Sequence, residues 1–276
     1  MMATVSEVAA IDVHGHCGPY IDPEIHPLKK RFMSGDAAAV VARAKAAHIQ
    51  YTVVSPLESL LPRGQANAAA GNETAFNVVQ QTDGLLQWVV LNPLQPATFE
   101  QVRRMLACPK CVGIKIHPEE HGYKIADQGH AIFALAAELQ AVILSHSGEP
   151  NSMPDDFVPF ANEFPEVSLI LAHLGNSGAA GKSPELQVRA IQASRHGNVY
   201  ADTSSAQSLL PGLIEWAVGR TGAERILFGT DTPLYFAPSQ RARIDHADLS
   251  DEQKRRILRD NARQLLHIPN GTEPAT

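Results

Sequence analysis

Four histidines, a lysine and an aspartate in this 276-residue chain stand at the ends of short apolar runs. His14 and His16 close Asp12-Val-His-Gly-His16, Lys115 and His117 sit in Gly113-Ile-Lys-Ile-His117, and His146 follows Leu144-Ser145. His173 follows Leu171-Ala172, and Asp231 ends Phe228-Gly-Thr-Asp231. Neutral imidazole and carboxylate are ligands for Zn²⁺ foremost, and also for Mn²⁺, Fe²⁺, Co²⁺ or Ni²⁺. Two imidazoles at i and i+2 on a strand point to one face and can grip a single ion, and Gly15 between them adds no bulk. A lone histidine on an apolar strand is ordinarily a core or surface residue. The joint placement of six such groups is what argues for a divalent metal. A bound metal lowers the pKa of water from about 15.7 toward 7. Asp231 would then be both a ligand and the group that takes the hydroxide proton; the alternative is a structural carboxylate closing the eighth strand.

The elements that must position these groups are eight short apolar runs, each followed by a polar or amphipathic stretch. The runs are residues 9–13, 49–55, 86–91, 112–117, 141–146, 168–173, 199–202 and 226–231. Most are continuous Val/Ile/Leu stretches, the pattern of strands buried on both faces. Helix-like segments lie at residues 36–47, 73–81, 96–107, 128–139, 184–196, 209–220 and 251–266, the last opened by Ser250 and Gln253 spaced as a capping box. Strands alternating with helices pair in parallel through crossovers, and eight units can close a (β/α)₈ barrel. An open doubly wound sheet would require a Gly-rich phosphate loop after the first strand; this chain has His-Gly-His there. The expected fold is therefore α/β, a single (β/α)₈ TIM barrel forming one domain over residues 1–276, with 269–276 as a frayed tail. In such a barrel the reactive groups gather at the C-terminal ends of the strands.

Composition narrows the class. The chain is 44% hydrophobic and 19% charged with a net charge of -6, enough apolar residues for a sizeable core. The absence of a Lys/Arg stripe argues against a nucleic-acid partner. No apolar run reaches the roughly 18 residues of a membrane span, and residues 1–10 lack a positive n-region, so the expected location is cytoplasmic. Three cysteines, Cys17, Cys108 and Cys111, do not make a disulfide framework. Cys108-Pro-Lys-Cys111 has no second pair to complete a zinc site and reads as two thiols in a turn.

The motifs Ile11-Asp-Val-His-Gly-His16, Val112-Gly-Ile-Lys-Ile-His-Pro118, Ile143-Leu-Ser-His-Ser-Gly148, Ile170-Leu-Ala-His-Leu-Gly175, Asn198-Val-Tyr-Ala-Asp-Thr203 and Ile226-Leu-Phe-Gly-Thr-Asp-Thr-Pro233, with Asp260-Asn-Ala-Arg263 near the end, run in order over nearly the whole chain. In this the sequence resembles the amidohydrolase superfamily, in particular its amidohydrolase-related group of metal-dependent barrel hydrolases and decarboxylases. The resemblance implies His14 and His16 as ligands of a first metal completed by Asp231, and His146 and His173 as ligands of a second. In mononuclear members the strand-five histidine, here His146, joins the single metal and the strand-six histidine, here His173, is a catalytic polar group. The resemblance also makes Lys115 the deciding residue. Carboxylated by CO₂, it would bridge two metals; unmodified, it would pair with Asp12 or Asp231 or bind an anionic substrate.

Other roles stay open at this stage. His117 is expected at the rim as a substrate contact. Arg63, on the loop after the second strand, could clamp a carboxylate or be solvated, and Tyr123, His121 and Lys124 are further rim candidates. Asp12 could orient a ligand histidine or pack in the core. Asp202 and Ser204 could line the pocket or cap a helix, and Glu149 could back the ligands or be solvated. The leading expectation for function is hydrolysis of a small ester, lactone or amide by metal-bound hydroxide, with Asp231, His173 and Lys115 as catalytic groups. The alternative is non-oxidative decarboxylation of an aromatic or unsaturated acid, against which stands the shortness of the chain. A barrel that has lost catalysis is the third. The expected partner is a small-molecule substrate, with a homodimer as the family-typical assembly.

Overall fold

The computed structural model describes residues 5–177, 183–204 and 209–269. Eight strands run in parallel and in sequence order: β1 Ala10–Cys17, β2 Ile49–Pro56, β3 Leu85–Val90, β4 Cys111–Ile116, β5 Val142–Ser145, β6 Leu169–Leu171, β7 Val199–Asp202 and β8 Ile226–Leu227. The seam between β8 and β1 is closed by Val13 N donating to Phe228 O at 2.9 Å and Asp231 N donating to His14 O at 2.7 Å. The sheet therefore curls into the expected α/β barrel. Helices of the outer layer include Ala37–Ala46, Ala68–Gln80, Ala97–Met105, Ile125–Leu139, Leu186–Ala193 and Leu213–Thr221. Among the described residues, no helix is long and apolar enough to cross a membrane.

Two apolar layers hold the strands. Inside the barrel, Ile11, Val13, Val53, Trp88, Leu144, Ile170 and Leu227 form one cluster, to which Ala262, Leu266 and Ile268 of the chain's last segment contribute. Outside it, residues such as Ile114, Ile116, Ile143, Leu169 and Phe228 pack against Phe133, Phe157, Val188 and Ile257 of the helices. Alternate strand residues thus enter different layers, the period-two consequence of the pleat. Trp88 spans the interior, and its indole Nε1 donates to Val13 O at 2.7 Å, so the floor of the site is both filled and tied to β1.

Several boundaries differ from the expected ones. Helix Ala68–Gln80 begins five residues before the expected 73, because Asn67 caps it by accepting from Ala70 N at 3.0 Å. Helices Pro27–Met33, Pro154–Glu163 and Ala237–Asp245 lie in stretches where no helix is expected. The last helical run is not uniform: Asp251–Arg255, capped by the Ser250/Gln253 box, passes through a π turn at Arg256–Asp260 into Asn261–Leu265. The π turn coincides with Ile257 O accepting from Phe228 N at 3.0 Å, a helix carbonyl given to the barrel seam. Asn261 fastens the same seam by donating to Ala223 O and Ile226 O at 2.7 and 2.8 Å. Of the expected tail, residues 270–276 lie outside the described residues.

Candidate metal centre

His14 and His16 share a face and both enter the cavity at the C-terminal end of the barrel, although Ile11 and Val13 face the interior below them, because the β1–β2 register shifts between Asp12 and Gly15; both are buried. Gly15 between them is a packing requirement: a Cβ there would lie 2.5 Å from the Thr52 methyl of β2. His146, His173 and Asp231 sit just beyond the paired residues, whereas Lys115 lies within β4. His146 follows β5 by one residue, His173 follows β6 by two, and Asp231 follows β8 by four. The backbone turns there: His173 and Asp231 have φ of 69° and 58°, a left-handed conformation that non-glycine residues adopt sparingly and that recurs at functional sites.

Three buried donors converge. His16 Nε2 lies 3.0 Å and His14 Nε2 3.7 Å from Asp231 Oδ1, and one ligand atom from each lies within 4.8 Å of the others. The far side of each imidazole is held. His14 Nδ1 donates to Asp202 Oδ2 at 2.8 Å, and His16 Nδ1 lies 3.2 Å from Ser55 O and 3.0 Å from Ser55 Oγ. Asp202 thus turns the His14 Nε2 lone pair toward the cavity, the arrangement that second-layer carboxylates give metal-ligating histidines. Nitrogen and carboxylate donors, buried, convergent and oriented from behind, fit one divalent ion. Burial alone would raise the Asp231 carboxyl, but its bond to His16 and the fields of His14, His16 and His173 outweigh it and hold it below the usual carboxylate range.

His146 and His173 are arranged differently. His173 Nε2 and His146 Nδ1 are hydrogen-bonded to each other at 3.1 Å, and the buried His146 Nε2 has no hydrogen-bond partner; the nearest carboxylate oxygen, Glu149 Oε1, is 3.5 Å away. His117 is stacked on His146 with ring centroids 4.2 Å apart, and its Nδ1 accepts from Glu120 N at 3.3 Å.

Lys115 is fully buried, and its Nζ lies 3.1 Å from His14 Nε2. Its hydrogen-bond partner is therefore His14 rather than Asp12 or Asp231. Burial lowers its pKa to about 8 against the pull of Asp202 and Asp231. Asp12 serves the seam instead: it accepts from Thr230 N at 2.9 Å, Thr230 Oγ1 at 2.6 Å and His14 N at 3.1 Å. It steadies the strand that carries His14 without touching the ring.

The cavity has a volume of about 240 Å³, below the roughly 300–1,000 Å³ of drug-sized ligand pockets. Its polar wall contains His14, His16, His117, His146, His173 and Asp231, and its apolar wall contains Leu57, Leu60, Leu61 and Leu234 with Tyr20 and Tyr235. Arg63 lines the mouth and is exposed to solvent, with its guanidinium paired to Glu120 at 2.9 Å. Tyr123 is not among the lining residues. It is buried in the outer apolar layer, because the chain there turns from the short helix Pro118–His121 into helix Ile125–Leu139. His121 is likewise buried, its Nε2 donating to Ser59 O at 2.9 Å, and Lys124 is exposed. The leucines after β2, Ser55, Glu120, Asn176 and Tyr235 were not legible as site residues. Only Ser55, at the end of an apolar run, carried any signal.

The family profile of amidohydrolases matches residues 11–268, and the chain belongs to that family. No curated protein matches it. Among solved structures it is similar to a 2,6-dihydroxybenzoate decarboxylase from Rhizobium, with 15% identity, TM-score 0.73 and coverage of 94% of this chain and 99% of that one. It is similar also to the 5-carboxyvanillate decarboxylase of Sphingomonas paucimobilis, with 14% identity, TM-score 0.73 and coverage of 95% and 100%. A third, a dihydroxybenzoic acid decarboxylase from a Polaromonas species with bound manganese and 2-nitroresorcinol, gives 14% identity, TM-score 0.72 and coverage of 94% and 97%. At these identities the likeness is one of fold.

Proposed function

We propose that the protein is a metal-dependent, non-oxidative decarboxylase of a small aromatic or unsaturated carboxylic acid, rather than the hydrolase expected first. The observation that carries the reading is the grouping of the donors. Two buried donor groups stand out among the described residues, His14, His16 and Asp231, and His14, His173 and Asp202, and because they share His14 they suit one ion better than two. The decarboxylases similar in fold add support, and since the match spans 97–100% of their chains, they carry no additional domain that this chain lacks.

A divalent ion, Mn²⁺ or Zn²⁺, held by His14, His16 and Asp231 with His146 as the adjoining donor, would supply positive charge to anchor the acid through its oxygens. The leucine wall would take the apolar body of the substrate and exclude water from it. Arg63 at the mouth offers a guanidinium for a substrate carboxylate, in exchange for Glu120. Decarboxylation breaks the bond between the carboxyl and a carbon of the substrate. The electron pair stays on that carbon, CO₂ departs, and the carbon takes a proton. That proton would come from water or an acidic hydroxyl of the substrate, taken up and handed to the carbon by Asp231 or His173, which line the cavity.

A second reading is favoured by Lys115. A buried lysine with a pKa lowered to about 8 is neutral in an appreciable fraction at mildly alkaline pH, the form that CO₂ can carboxylate, and a carbamate would suit a two-metal hydrolase. The two separate in one experiment. The protein, purified without chelator in bicarbonate buffer, is analysed for metal and assayed for CO₂ release from hydroxybenzoates and for acid release from lactones and esters. The proposal expects about one ion per chain and CO₂ release that Asp231→Asn abolishes; two ions with ester or lactone turnover would overturn it.

A further inference from the structure

Ser204, just beyond β7, is buried and lies between the two histidine pairs. Its hydroxyl oxygen is 2.8 Å from His173 Nδ1 and 3.1 Å from His14 Nδ1, and it contacts Asp202 Oδ1. We infer that Ser204 is a positioning residue that sets the tautomers of His173 and His146, leaving His146 Nε2 as a bare lone pair directed at the metal-binding cavity.

The argument is a count of protons. An ionised carboxylate only accepts hydrogen bonds, so in the Ser204–Asp202 contact the serine hydroxyl is the donor. That uses its single proton, and toward the imidazoles its oxygen acts as acceptor. His14 Nδ1 already donates to the other oxygen of Asp202 at 2.8 Å. His173 Nδ1 must therefore carry the proton it gives to Ser204. With His173 neutral, its Nε2 has only a lone pair, and the 3.1 Å bond to His146 Nδ1 makes that nitrogen the donor. His146 Nε2 is then left without a proton. This accounts for a buried ring nitrogen with no hydrogen-bond partner facing Glu149 Oε1 at 3.5 Å. At 3.5 Å that pair is longer than an ordinary N–H···O bond, whereas the Ser204–Asp202 contact is close enough to require a donor. The opposite chain of tautomers would turn the Ser204 hydroxyl hydrogen toward a His173 Nδ1 lone pair and leave two acceptors in contact at Asp202. The carboxylate is further fixed by Ser204 N and His173 N, which donate to the same Oδ1 at 2.9 and 3.0 Å.

The consequence for catalysis rests on the metal-dependent reading above, but the tautomers can be read without turnover. Long-range ¹H–¹⁵N correlation spectra of the ¹⁵N-histidine-labelled full chain identify which nitrogen of each ring is protonated, with His146→Gln and His173→Gln assigning the signals. The expected result is Nδ1–H on both rings, a shift toward Nε2–H on both in Ser204→Ala, and retention of Nδ1–H in Ser204→Thr, which keeps the hydroxyl. Zn²⁺ titration, followed by competition with a chromogenic chelator, should give affinity lowered roughly 10–100-fold in Ser204→Ala and largely restored in Ser204→Thr. Nε2–H on His173 in the unmutated protein, or tautomers and affinity both unchanged in Ser204→Ala, would overturn the inference. The predicted tautomers in a protein that releases no CO₂ from any acid would support the inference and sink the decarboxylase reading. Decarboxylation with the opposite tautomers would do the reverse.

Discussion

The site contains two pairs of histidines at neighbouring strand ends, and they are used differently. In the pair on β1, each ring is held through Nδ1, by Asp202 for His14 and by Ser55 for His16, and both Nε2 atoms turn toward Asp231. In the pair after β5 and β6, the rings are bonded to each other, and one nitrogen of the four, His146 Nε2, is without a hydrogen-bond partner. Residue type is the same in both. What separates them is which acceptors lie behind each ring. A carboxylate or carbonyl behind Nδ1 releases Nε2 for a metal, whereas a second imidazole consumes a lone pair.

The comparison can be broken most directly at Asp231, where the β1 pair converges. Asp231→Asn should lower turnover by about 10²–10⁴-fold, the usual range for losing a positioned proton-transfer group, while circular dichroism remains that of the folded chain. A loss below tenfold would mean that the β1 pair is not the reacting centre. Next in size is Asp202→Asn, which weakens the hold on His14 Nδ1 from behind. Metal affinity measured by competitive titration should fall about 10–100-fold. If His173→Gln lowered affinity more than Asp202→Asn, the ranking of the two pairs would be reversed.

Trp88 tests the floor beneath the β1 pair alone. Trp88→Phe removes the indole bond to Val13 O and part of a fully buried ring. An unsatisfied acceptor of this kind costs about 1–3 kcal/mol, read as a lower urea midpoint, with tautomers at His146 and His173 unchanged. The smallest effect belongs to a residue remote from both pairs. Burial pushes the Cys111 thiol up to about 12 from its ordinary 9.0. In the native protein it should resist alkylation at pH 8 and react once the chain is unfolded. The same shift has a defined sign. Above about pH 9 the unfolded thiol ionises while the native one does not, so this contribution to stability declines as pH rises from 9 toward 12. Cys111→Ala should flatten that decline in urea midpoints taken across the range.

Much of this was legible along the chain. Eight apolar runs of Val, Ile and Leu, too short for helices and alternating with helical segments, leave a parallel barrel as the economical solution. Parallel strands in a barrel carry their functional groups at one end, so His14, His16, His146, His173 and Asp231 could be named together. The i, i+2 spacing of His14 and His16 also settles that they share a face. These are local properties: strand period, side-chain chemistry and the order of elements.

Tertiary structure alone decided how the groups relate. Lys115 approaches His14, 101 positions away in sequence, and Asp202 reaches the same ring across 188 positions. No periodicity encodes which of several buried carboxylates will stand behind a given imidazole. Tyr123 left the expected rim because a four-residue helix turned it into the outer layer, and Arg63 acquired Glu120 from that same helix, 57 positions away. Hydrogen-bond direction inside a buried network depends on every partner being counted at once. The sequence by itself therefore determined the kinds of ligand and the end of the barrel they occupy. The closed barrel decided which lone pairs remain for a metal, because only packing brings the competing donors and acceptors within 3 Å or so of one another.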